Sequence, residues 1–170
     1  MKSELGIIDK KSEYIVAGLD LSTVSDRTVL TVGEISTESR LYDEDIKKFT
    51  TREIIVFNLK RERLSAEKVA KDVAKYCKTY EIDMLLIDGT GTQGTYVEWI
   101  YKELKLAEIN TLICPYNFSG VNNKVILMSN LESMLFSQRC VLPKDTLRST
   151  NEEWALLYDE LIYLIKDKSK

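Results

Sequence analysis

The chain has 170 residues with 24 basic and 27 acidic side chains, so its net charge of −3 gives no overall basic footprint for nucleic acid. It contains no histidine, which excludes Ser-His-Asp and Cys-His catalysis and histidine-ligated metals. The length predicts a single domain over residues 1–170, with residues 1–12 as a loose polar lead-in. Because no apolar run is long enough to span a bilayer and the N-terminus is too charged for a signal peptide, we expect a cytoplasmic protein without a membrane partner.

Three strands are predicted in the first part of the chain. Tyr14–Asp20 and Thr28–Ile35 are apolar, β-branched runs joined by a short polar turn, a pattern that favours an antiparallel hairpin. Residues 36–52 are densely charged and are expected to form a long loop at the hairpin tip. The third strand is expected over Glu53–Lys60.

The hydrophobic period then changes from two to 3.6 residues, which indicates alternating helices and strands. We first expect a helix capped by Ser65, followed by a strand over Asp83–Asp88. The next helix has Val97, Ile100, Tyr101 and Leu104 on one face and is followed by a strand over Thr111–Cys114. A helix over Asn123–Ser137 and a last helix opened by a Thr150–Glu153 capping box complete the chain. The predicted fold class is α/β: a mixed sheet of three antiparallel strands followed by βαβα, flanked by helices. This order is typical of ribonuclease-H-like folds.

Two of the strands end in an aspartate. Asp20 closes the first strand and Asp88 closes the MLLID strand, and a helical crossover between them would make these strands neighbours. Two carboxylates side by side repel each other, and a divalent cation relieves the repulsion. With oxygen ligands only, the site would suit Mg²⁺ or Mn²⁺ rather than zinc. The alternative is that each aspartate simply caps the turn that follows its strand.

Other residues could complete such a site. Asp26 lies across the turn from Asp20 and could fold back as an auxiliary ligand, or remain a solvated turn residue beside Arg27. The loop from Gly89 to Gly94 leads into a helix N-terminus, where free amides favour a phosphate, although an ordinary Gly-rich turn explains it equally well. Basic side chains near the third strand and at the start of a later helix could contact a phosphodiester backbone, or form part of a solvated mixed-charge face. The candidate phosphate and DNA contacts are Arg61, Thr90, Gly91, Thr92 and Lys124.

Two sequence segments resemble the nuclease domain of phage and prophage terminase large subunits. AGLDLSTVSDRTVLTVGEI resembles that family's opening G-x-D strand with its D-x-T turn, and LLIDGTGTQGTYVEWIYKEL resembles its second acidic strand, DGTG loop and helix. Residues 118–145 also resemble the stretch that ends in a short strand in this family, and residues 151–165 the helix after it. The resemblance extends over residues 14–166.

The resemblance implies a ribonuclease-H-like nuclease that cuts concatemeric viral DNA during packaging by hydrolysis with two Mg²⁺ or Mn²⁺ ions. Asp20, Asp88 and Asp26 match the family's first two metal-binding acids and the acid of its D-x-T turn. Implied partners are double-stranded DNA, the terminase ATPase domain, the small terminase subunit and the portal. The family's third acid lies past a hairpin at the start of a final helix, and this chain has no such stretch. We therefore expect the C-terminal end of the fold to be missing and the activity to be impaired.

Three other functions remain open at the level of sequence. Another ribonuclease-H-like nuclease, of the resolvase or transposase type, would need a late acid such as Asp159 or Glu160 near Asp20. An ATPase lobe of the actin or hexokinase type is suggested by LDLST, although such ATPases have two lobes. A non-catalytic DNA or protein interaction module would carry the same acids without using them.

Overall fold

A computed structural model describes residues 13–21, 28–36, 40–43, 48–51, 54–62, 65–89, 94–117, 121–137, 139–141 and 152–167. The strands are β1 (Glu13–Asp20), β2 (Thr28–Ser36), β3 (Arg40–Asp43), β4 (Lys48–Thr51), β5 (Ile54–Glu62), β6 (Met84–Asp88), β7 (Leu112–Tyr116) and β8 (Cys140–Val141). The helices are α1 (Ala66–Thr79), α2 (Gly94–Leu106), α3 (Val121–Phe136) and α4 (Glu152–Asp167).

Six of the strands form one mixed sheet in the order β7-β6-β1-β2-β5-β8, and β3 pairs with β4 in a separate hairpin. The β1–β2 and β2–β5 pairs are antiparallel, while β6 is parallel to both β1 and β7. The helix α1 connects β5 to β6 and α2 connects β6 to β7. The α/β mixed sheet predicted from the sequence is therefore confirmed, including the position of β6 beside β1.

The core lies on one face of this sheet. Residues of alternating positions in β1, β2 and β6 point to it, as the period of two in a strand requires. Ala17 and Leu19 of β1 and Leu85 and Ile87 of β6 are buried there with the apolar stripes of α1 and α2. From the two helices the buried side chains are Val69, Ala70, Val73, Ala74, Cys77, Ile100 and Leu104.

The turn from α1 to β6 and the turn from α2 to β7 have the same backbone conformation and hydrogen bonding. Glu81 after α1 and Glu108 after α2 have φ angles of 51° and 55°, in the left-handed region. The next amide in each case, that of Ile82 or Ile109, donates back to a carbonyl in the last helical turn, at 3.0 and 2.9 Å respectively. These bonds satisfy carbonyls that a helix C-terminus otherwise leaves unpaired, so the two strands enter the sheet at defined positions.

Among the described strands, β7 lies at one edge of the sheet. The amide of Leu112 donates to the Asp83 carbonyl at 2.9 Å, so this residue faces the neighbouring strand. Since backbone groups alternate in direction along a strand, Cys114 and Tyr116 also face β6, while Ile113 and Pro115 face outward.

The structure differs from the sequence prediction in three places. Ser65 precedes α1 at the N-cap position as expected, but its side chain makes no capping hydrogen bond. Residues 36–52, expected to be a loop, contain the β3–β4 hairpin, so the predicted third strand is β5. Tyr101, expected on the buried face of its helix, is 61% exposed and lines a groove together with residues of β7. The capping box at Thr150 lies outside the described residues, although the helix it was expected to open is present as α4. Within the described part of the chain, no helix is long and apolar enough to cross a membrane.

Candidate metal and nucleic-acid site

Asp20 and Asp88 end two neighbouring parallel strands. The registered pairs of β1 and β6 run to Leu19 opposite Ile87, and each aspartate is the next residue of its strand. Adjacent strands lie about 4.8 Å apart. The two carboxylates are therefore attached side by side at the same edge of the sheet.

The side chains of these aspartates lie on the face of the sheet opposite the core. Leu19 and Ile87, which precede them, are both buried beneath α1 and α2. Because successive side chains of a strand alternate between faces, Asp20 and Asp88 point the other way. Asp20 is exposed and Asp88 half-buried, so the pair is accessible to an ion or substrate from solution.

A cleft of about 390 Å³ lies over this face and contains both carboxylates. Gly18 and Leu86 line it from the same two strands, Val29 and Thr31 line it from β2, and Lys124 lines it from α3. A volume of this order is within the range of small-molecule sites. Among the described residues, the cleft thus combines the acidic side chains of Asp20 and Asp88 with the basic side chain of Lys124 and an apolar wall.

Gly18 leaves the base of the cleft open. It lies two residues before Asp20, opposite Thr31 in the register of β1 and β2, and therefore on the same face. A Cβ built at this position would meet no atom within 4 Å. The sequence alone does not reveal that Gly18 keeps this space open. Its G-x-D spacing does place Gly18 and Asp20 on the same face of a strand.

The end of β6 is held close to the end of β7. The amide of Gly89 donates to the Tyr116 carbonyl at 2.8 Å. A Cβ at Gly89 would lie 3.1 Å from the Cβ of Pro115, closer than side chains ordinarily pack. Glycine at this position therefore allows the close approach that fixes the backbone immediately after Asp88.

The donor set suits a hard divalent cation. Two carboxylates with hard oxygen atoms, open to water, can hold Mg²⁺ or Mn²⁺ while solvent fills the other positions. Among the described residues there is no group of three or more His, Cys, Asp or Glu side chains that could hold a metal ion. In the described part of the cleft, Asp20 and Asp88 are the two carboxylates that could hold such a cation.

The structure places only some of the other predicted site residues near the two aspartates. Lys124 is exposed in the first turn of α3 and contributes to the cleft with the two aspartates. The backbone of Arg61 lies in β5 opposite Val29, a cleft residue, and its side chain is not among those described. Asp26, Thr90, Gly91 and Thr92 lie outside the described residues, so their roles stay predictions.

No protein-family model matches the sequence, and neither does any curated protein. Among solved structures, the chain is similar to the large terminase nuclease domain of Thermus phage P74-26, with 15% identity over 83% of this chain and 62% of that one, and a TM-score of 0.55. It also matches the nuclease domain of the large terminase subunit gp2 of bacterial virus Sf6, with 13% identity over 68% of this chain and 42% of that one, and a TM-score of 0.43. A third match is the fowlpox virus Holliday junction resolvase, with 12% identity over 87% of this chain and 99% of that one, and a TM-score of 0.46.

The likeness to the Thermus phage domain shows the fold. The chain shares the fold of that nuclease domain, a mixed sheet flanked by helices, which agrees with the predicted element order. The chain spans 62% of the length of that domain and 42% of the Sf6 domain.

Proposed function

We propose that a chain with this ribonuclease-H-like fold is a DNA endonuclease that depends on Mg²⁺ or Mn²⁺. The observation that carries the proposal is the pairing of Asp20 with Asp88 at the ends of adjacent parallel strands, within a cleft that also contains Lys124. The absence of histidine fits this chemistry, since phosphodiester hydrolysis with divalent cations needs only carboxylates from the protein.

In this proposal the acidic residues of the cleft bind the metal ions and the basic residue binds the DNA. Asp20 and Asp88 would hold the divalent cations, which supply Lewis acidity toward the phosphodiester and the attacking water. Lys124 would bind a phosphate oxygen of the DNA backbone and keep the scissile group over the carboxylates. The amides of Thr90, Gly91 and Thr92, near the N-terminus of α2, would bind an adjacent phosphate, and Asp26 would serve as an auxiliary ligand.

The terminase role is the specific form of this proposal. The fold shared with a phage terminase nuclease domain and the sequence motifs around Asp20 and Asp88 support cutting of concatemeric phage DNA during packaging. The ATPase domain, the small terminase subunit and the portal would then be its partners. The net charge of −3 fits a domain that receives most of its DNA affinity from such partners.

Nicking of supercoiled plasmid in the presence of Mn²⁺ tests the proposal. We expect the unmodified chain to nick the plasmid and Asp20→Ala and Asp88→Ala to reduce the rate at least 100-fold, because each would lose a metal ligand. Glu98→Ala is the matched control, since Glu98 is an exposed acid on α2 outside the cleft. Equal rates in all four proteins would contradict the assignment.

Substrate preference distinguishes a terminase nuclease from a resolvase. Linear duplex and a four-way junction of the same sequence are offered at equal concentration. A terminase nuclease is expected to cut both without preference, whereas selective cutting of the junction would favour a resolvase.

A further inference from the structure

Asn123 ties the start of α3 to the end of β7. Its side-chain amide Nδ2 donates to the backbone carbonyl of Asn117 at 2.9 Å. Asn117 directly follows β7, and Asn123 lies in the first turn of α3. One side chain therefore fixes the position of the first helical turn against the sheet edge.

The same strand end is bonded to the strand that carries Asp88. Asp88 pairs with Tyr116 in the register of β6 and β7, and the amide of Gly89 donates to the Tyr116 carbonyl. A continuous path of backbone and hydrogen bonds thus runs from Asp88 through β7 to Asn117, and from there to Asn123.

Lys124 is the next residue along this path. It lines the cleft that contains Asp20 and Asp88, and its side chain is exposed. A lysine has a long flexible stem, so where its ammonium group can reach depends on where its Cα is held. The bond made by Asn123 sets that position relative to Asp88.

We propose that Asn123 is a positioning residue for Lys124, which it holds over the paired carboxylates so that the ammonium group meets the phosphate of the bound DNA strand. The inference rests on the proposed nuclease function and adds to it a residue outside the cleft. Asn123 is not among the residues that line the cleft, whereas Lys124 is, so the effect of Asn123 on cleavage would pass through Lys124.

A double-mutant cycle in the plasmid-nicking assay tests this dependence. Asn123→Ala removes the donor, and Asn123→Asp keeps the shape but replaces the donating amide with an acceptor. We expect each to lower the nicking rate about 3- to 10-fold, the size of one lost hydrogen bond. In the Lys124→Ala background neither should lower the rate further. Asn122→Ala, a change at the exposed neighbour in the same turn, should leave the rate unchanged.

A second measurement needs no cleavage. Lysines are reductively methylated with ¹³C, the Lys124 signal is assigned by its loss in Lys124→Arg, and broadening by Mn²⁺ is recorded. We expect strong broadening in the unmodified chain and weaker broadening in Asn123→Ala, with the melting temperature lowered by no more than about 2–4 °C. A merely structural anchor would lower the melting temperature without changing this broadening.

The outcomes separate the two proposals. Broadening that Asn123→Ala does not change, or a loss of rate that adds fully to that of Lys124→Ala, would overturn the positioning role and leave the nuclease standing. If the unmodified chain binds Mn²⁺ without cutting, the broadening still tests the positioning role. If it neither binds nor cuts, both proposals fall.

Discussion

Replacement of Asp88 by asparagine should change the stability in opposite directions with and without a divalent cation. Two unit charges about 5 Å apart repel by about 3 kcal/mol at an effective dielectric constant of 20 and by about 1 kcal/mol in water. Because Asp20 is exposed, the lower figure applies. Without metal, the variant should therefore be more stable by about 1 kcal/mol, which raises the melting temperature of a protein of this size by about 2–4 °C.

With Mn²⁺ the order should reverse. A ligand at 100 times its dissociation constant stabilises the folded state by about 2.7 kcal/mol, so the melting temperature of the unmodified chain should rise by about 5–10 °C. Asp88→Asn lacks one of the two carboxylates and should gain little. The assay is thermal unfolding followed by circular dichroism, in chelator and in a Mn²⁺ series.

The control is Glu98→Gln, which removes one negative charge from an exposed position of α2 outside the cleft. It should leave both melting temperatures nearly unchanged. High salt should reduce the metal-free gain of Asp88→Asn, since salt screens exposed charges. A lower melting temperature of Asp88→Asn in chelator, or an equal response of both proteins to Mn²⁺, would refute the shared carboxylate site.

Three further predictions concern single positions. Gly18→Leu should leave the melting temperature within about 3 °C but reduce plasmid nicking at least tenfold, because its side chain enters open cleft space, and normal nicking would contradict this. Gly89→Ala should lower both stability and Mn²⁺ affinity, measured by calorimetry, since its Cβ comes 3.1 Å from that of Pro115; unchanged affinity would show that the backbone after Asp88 is not constrained there. Burial raises the pKa of the Cys77 thiol from 9.0 to about 11, so the thiol stays protonated in the folded chain while it ionises in the unfolded one. The stability it contributes is present below pH 9 and declines between pH 9 and 11, by about 1.4 kcal/mol per pH unit, and Cys77→Ala should flatten this decline in denaturant titrations.

The sheet was predictable from the sequence because its strands are apolar and β-branched and its helices keep a 3.6-residue stripe. A helical crossover between the strands of Asp20 and Asp88 favours their pairing as neighbours, which the structure confirms. The β3–β4 hairpin was not predictable, because residues 36–52 carry charges where a strand normally alternates polar and apolar residues. Tyr101 fits the apolar stripe of α2 by spacing alone, and spacing does not reveal that the helix lies at the edge of the sheet.

The candidate site was predictable only in part. Carboxylates at strand ends are visible in a sequence, whereas a single lysine that reaches the cleft cannot be distinguished from the other basic residues. Lys124 enters the cleft because α3 begins where Asn123 bonds to the end of β7, a contact between side chain and backbone that periodicity does not encode. The open space at Gly18 is equally a property of the packed structure.

The outward-facing residues of β7 affect how this chain behaves in a crowded solution. An open sheet edge can accept a strand from another molecule and begin an intermolecular sheet. Proline has no amide hydrogen, so among the five residues of β7 only Ile113 offers an outward amide donor, and Pro115 interrupts the ladder that an incoming strand would need. The proline that comes close to Gly89, directly after Asp88, therefore also discourages aggregation through this edge of the sheet.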